Sequence, residues 1–117
     1  MTLNLGVGKY HLTGAVNYTG NQAAGSVQLG FGGGTATIGH ADGGAYFVGP
    51  TVENLSVWSG ALSLAGGPTF TGTPQRWEFS AWVQVTAAGT LILRAQLGTA
   101  GDDCVINSAY MRAETFA

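Results

Sequence analysis

Residues 78–97 read EFSAWVQVTAAGTLILRAQL, and their alternation decides the fold class. Trp77, Phe79, Ala81, Val83 and Val85 fall on one side of an extended chain and Glu78, Ser80, Gln84 and Thr86 on the other, the period of a half-buried strand. Ala87-Ala88-Gly89 makes a corner, and GTLILRAQL continues as a second strand. One residue breaks the pattern, because Trp82 falls among the polar positions. Either it stands outside for contact with something, or a bulge shifts the register by one.

Alternating segments recur along the whole chain. YHLTGAVNY places Tyr10, Leu12, Val16 and Tyr18 on one face, and SVQLGF does the same for Val27, Leu29 and Phe31. GGGTATIG, AYFVGP, VENLSVW, ALSL, PTFTG, CVI and AYMRAETF continue the series. No segment sustains a helical period for the roughly 10–12 residues a helix needs. About nine to eleven short strands at a spacing of roughly 8–12 residues predict an all-β antiparallel fold. The expected architecture is a single jelly-roll-like β-sandwich over residues 1–117. Gly32-Gly33-Gly34, Gly43-Gly44 and Gly66-Gly67 read as turns between strands. YHLTGAVNYTGNQAAGSVQLGF also lies over WEFSAWVQVTAAGTLILRA, with Tyr10 on Trp77 and Val16 on Val83. The echo reflects either two similar hairpins facing one another or the generic likeness of any two alternating hairpins.

The chain has 117 residues, enough for one domain with its own core. Only ten of them are Asp, Glu, Lys or Arg, against about a quarter in an ordinary soluble domain. The surface is therefore built from Thr, Ser, Asn, Gln, Gly and apolar atoms. A net charge of -2 provides no basic field for nucleic acid or an anionic membrane. The N-terminus lacks the charged and apolar regions of a signal peptide, and no window reaches the roughly 18 apolar residues of a membrane span. If the protein works outside a cell, release of an assembled particle by lysis is one route that needs no encoded secretion signal.

No catalytic motif emerges. His11 and His40 are separated by two or more expected strands and have no closely spaced ligand partner, so no metal is expected. Asp102-Asp103, in TAGDDC, reads as a turn with Asx hydrogen bonds, with a calcium loop as the alternative. GxSxG does not occur, and GFGGG lacks the following helix and Lys-Ser/Thr of a phosphate loop. Cys104 has no disulfide partner in the chain and reads as a small strand hydrophobe rather than a reactive thiol, since the neighbouring aspartates raise its pKa. A non-enzymatic protein without cofactors is expected.

The aromatic residues carry the remaining signal. Trp58 shares a face with Asn54 and Ser56, Trp82 with Ser80 and Gln84, and Tyr110, Arg112, Glu114 and Phe116 share one face of the last strand. Large aromatics on polar faces point to contact. Covering loops or a shifted register are the alternative.

Residues 76–117, with WEFSAWVQV, the Ala-Gly corner, GTLILRAQL and a terminal AYMRAE strand, resemble the small jelly-roll proteins that decorate tailed-bacteriophage heads and fibres. These are similar in outline to the trimeric tumour-necrosis-factor and C1q-like folds. The resemblance implies a capsid decoration protein on the virion surface, a homotrimer bound to the major capsid protein or another virion protein, without nucleic acid or membrane. Trp58, Trp82, Tyr110, Arg112 and Phe116 are then the candidate contacts. The strand SAWV at residues 80–83 also resembles jelly-roll carbohydrate-binding modules, which implies an alternative, binding of a host-surface glycan through Trp58, Trp82 and Tyr110.

Overall fold

The computed structural model describes residues 1–20, 25–48, 52–68, 70–98 and 103–115. Nine strands form among them, and no helix: β1 (Thr2–Leu5), β2 (Gly8–Gly20), β3 (Val27–Phe31), β4 (Thr37–Val48), β5 (Val52–Ser59), β6 (Leu64–Gly66), β7 (Gln75–Ala87), β8 (Gly89–Leu97) and β9 (Cys104–Thr115). They build two antiparallel sheets, one in the order β1-β8-β3-β6 and one in the order β5-β4-β7-β2-β9. The chain is an all-β sandwich. Within it the pairing is nested, β1 with β8, β2 with β7, β3 with β6 and β4 with β5, as in a long hairpin rolled up on itself. β9 is added outside β2.

β7 is the central strand of the larger sheet and keeps its period of two throughout. Trp77, Phe79, Ala81, Val83 and Val85 are buried, while Ser80, Trp82, Gln84 and Thr86 are exposed. Inward side chains of β2 beside β7 and of β3 and β8 in the opposite sheet close the core, and Leu12, Tyr18, Leu29, Phe47 and Trp77 are fully buried. Phe31, Trp58, Trp77 and Phe79 form its aromatic centre. Phe31 meets Phe79 edge-on at 5.1 Å, and Trp77 tilts over Phe79 at 5.0 Å between ring centroids. Each such burial contributes about 1.5–3 kcal/mol before conformational entropy is subtracted.

Three expectations change. The stretch 78–97 is not a hairpin: β7 and β8 lie in different sheets, and the Ala87–Gly89 corner carries the chain from one layer to the other. The two echoing segments do not face one another either. β2 pairs with β7 and β3 pairs with β8, so they lie side by side in both layers. Finally, Gly43-Gly44 is no turn but the middle of β4. A Cβ on Gly43 would sit 2.2 Å from the Ser80 carbonyl oxygen, so glycine is there for close approach to β7. Gly32-Gly33-Gly34 does connect strands, and Gly33 takes the left-handed conformation at φ 72°.

Candidate functional site

The sheet register determines which side chains meet on the outer face of the larger sheet. Trp82 on β7 lies between His11 on β2 and Asp42 on β4. Its indole is half exposed, at 51%, and stacks on the His11 imidazole with centroids 4.4 Å apart and planes 19° from parallel. His11 Nε2 is 2.9 Å from Ser80 Oγ, which holds the imidazole in place. Beyond Asp42, His40 Nε2 approaches Asp42 Oδ2 at 2.6 Å. Lys9, His40, Asp42, Trp82 and Gln84 line a cleft of about 180 Å³ here.

Four residues back along β7, Glu78 lies between Ala15 and Tyr46, with Tyr110 of β9 beyond Ala15. A chain of hydrogen bonds crosses four strands at this level. The Tyr46 hydroxyl donates to the Glu78 carboxylate, and Arg76 Nε donates to Glu78 Oε1 at 2.5 Å. Arg76 also donates to Asn17 Oδ1 at 3.3 Å, and Asn17 Nδ2 donates to Ser108 Oγ at 2.9 Å. The Tyr46 hydrogen bond, followed by that from Arg76, holds the Glu78 carboxyl below the usual carboxylate range, against the opposing effect of burial. The same carboxylate pushes the Tyr46 phenol up, so it remains a donor. Thr13, Gly44, Tyr46, Glu78, Ser80 and Tyr110 enclose a second cleft of about 240 Å³.

A different surface opens along the flank of the sandwich. β1 pairs with residues Gly89–Ile92 of β8 and Met1 bonds the Leu93 backbone, so the stretch from Arg94 to Leu97 has no strand beside it on that edge among the described residues. β9 is a fifth strand opposite a four-stranded layer. The layers therefore gape between β8 and β9. Met1, Leu29, Leu93, Ala95, Ile106 and Ala109 border a space of about 200 Å³, and Val27, Leu97 and Cys104 border one of about 150 Å³ beside it. Met1, Leu97 and Ile106 on this border are exposed. Burial pushes the half-buried Cys104 thiol up, away from the thiolate.

The expected contact residues thus separate. Trp82 and Tyr110 stand on the outer face, both half exposed. Arg112 shares that face, exposed and ion-paired with Glu114. Phe116 lies outside the described residues. Trp58 is a correction: at 3% exposure it belongs to the core, edge-on to Phe31 and Trp77. β5 turns its Ser56 and Trp58 side inward and its Leu55 and Val57 outward, the reverse of its polarity pattern. It is an edge strand whose one large inward ring fills the space beside Phe31. Tyr46 and Arg76 are not among the expected site residues, Glu78 is read in the sequence only as part of a polar strand face, and His11 only as lacking a metal-ligand partner. Tyr46-Phe47 are adjacent aromatics, and only packing decides which of the two faces out.

Among the described residues, no three His, Cys, Asp or Glu side chains converge as metal ligands. The chain matches no family model, and no curated protein or solved structure matches it.

Proposed function

We propose that this is a non-enzymatic structural protein of a virion, a jelly-roll decoration protein that associates as a homotrimer and holds to the major capsid protein or another virion protein. The open flank between β8 and β9 is the observation that carries this reading. Leu97 and Ile106 are exposed beside a mainly apolar gap, in a chain with only ten charged residues to keep neighbours apart. Burying apolar surface contributes about 25 cal/mol per Å² before the costs of association are subtracted. β9 also leaves one edge without a strand among the described residues, a row of backbone donors and acceptors that a second chain can satisfy. The nested strand pairing supports the jelly-roll part of the reading, and the resemblance of residues 76–117 supports the virion part.

Sedimentation of particles from cells that make the protein tests attachment. Wild-type chain is expected in the particle fraction and Ile106→Asp in the supernatant, with melting curves confirming that the variant folds. Wild-type protein that stays wholly in the supernatant overturns the reading. A second reading, a saccharide-binding domain, is favoured by the exposed Trp82 and the polar clefts beside it.

A further inference from the structure

We propose that the outer face of the five-stranded sheet is a binding site for a neutral oligosaccharide, with Trp82 as its stacking platform and Tyr46, Glu78, Ser80 and Tyr110 as its polar end. The inference deepens the second reading above and does not depend on assembly through the flank.

Three observations carry it. The first is the pre-set aromatic platform. His11 packs against Trp82 and is itself held by Ser80, so the indole meets a ligand in a fixed orientation. The second is the character of the two clefts. Each is smaller than the roughly 300–1,000 Å³ of a drug-sized pocket, which suits one sugar ring per cleft. The first cleft sets the Trp82 ring beside the Gln84 amide and the Asp42 carboxylate, and the second sets the Tyr46 and Tyr110 rings beside the Ser80 hydroxyl and the Glu78 carboxylate, partners for a pyranose with an apolar face and a rim of hydroxyls. Trp82 and Glu78 are four residues apart on one strand, about 13 Å, so a ligand spanning both clefts needs more than one ring.

The third observation is charge. Arg76 is ion-paired with Glu78 and Arg112 with Glu114, and the Asp42 carboxylate is hydrogen-bonded to His40. Lys9 is the other charged side chain lining either cleft. Such a face has little net charge to attract an anionic glycan and is too rich in charged pairs for the core of a protein interface. The Glu78 carboxylate still has acceptor capacity beyond the Tyr46 and Arg76 hydrogen bonds, as an ionised carboxyl offers about four lone-pair sites.

Tryptophan fluorescence provides a local probe, because Trp58 and Trp77 are buried and Trp82 is the exposed one of the three. The full chain is titrated with neutral hexasaccharides of glucose, xylose, mannose and N-acetylglucosamine, and with a sialylated and a sulfated glycan. At least one neutral oligosaccharide is expected to shift the emission. By calorimetry, Trp82→Ala is expected to weaken that binding tenfold or more and Tyr110→Ala several-fold, both with an unchanged fold by circular dichroism. No binding by any sugar overturns the saccharide reading as a whole. Binding that Trp82→Ala leaves intact overturns this site while that reading stands, and binding of only the anionic glycans overturns the ligand class.

Discussion

Replacing Trp77 with alanine removes a fully buried ring from the aromatic centre of the sandwich, a change expected to cost about 3–5 kcal/mol in denaturant unfolding. The same replacement at Trp82, five residues along the strand, is expected to change stability by less than about 1 kcal/mol, since half of that side chain already meets water. Equal losses at the two positions would contradict their placement. Glu78 carries a pH signature. Its folded pKa is depressed, so its hydrogen bonds to Tyr46 and Arg76 stabilise the fold above the ordinary carboxylate pKa of 4.5, and that contribution is lost as pH falls through the folded value. The melting-temperature gap between wild type and Glu78→Gln is therefore expected to be constant near neutrality and to shrink in acid. A gap that widens in acid would reverse the sign. The alternation around Trp77 made its burial legible in sequence. Trp58 was misread because Asn54 and Ser56 mark its face as polar, and nothing in VENLSVW records the space beside Phe31 that the indole fills.

At the scale of elements, period-two patterning identified β2, β3 and β7 with their inward faces, and β8 as a strand, since alternation is a local property. Which strands share a sheet is not local. A two-stranded hairpin and a corner between layers have the same residue pattern, so the crossing at Ala87–Gly89 became visible only in the pairing of β7 with β2 and β8 with β3. The glycines divide in the same way. Gly33 sits in a turn with positive φ, whereas Gly43 lies within β4 because β7 passes too close for a Cβ. Gly43→Ala is expected to lower stability by about 1–3 kcal/mol, as the strands must part to admit the methyl group. A neutral effect in chemical unfolding would count against the tight β4–β7 pairing. β9 illustrates the cost of an added strand: Ile106 and Ala109 border the gap between the layers, yet among the described residues no fifth strand of the smaller sheet covers them.

At the scale of the whole molecule, the accessible surface is 5952 Å², and a folded monomer of 11.9 kDa is expected to expose about 6,000 Å². The chain therefore closes its own core, and any association joins preformed surfaces rather than completing an unfinished domain. Two such surfaces differ in character. The sheet face bears ion pairs and polar clefts, while the β8–β9 flank is mainly apolar, with Arg94 on its rim, and bordered by a strand edge. Low charge was plain from composition, whereas alternation put Trp82 and Tyr110 on polar faces and left a covering loop or a shifted register as the alternative. The flank was legible in neither, because it arises from unequal strand numbers in the two layers. Self-association through that flank is the central claim, and light scattering on the purified chain tests it most directly. The expected result is a particle of three times the 11.9 kDa chain mass, falling to one chain mass in Ile106→Asp. A wild-type protein that remains at one chain mass across the concentration range would contradict it.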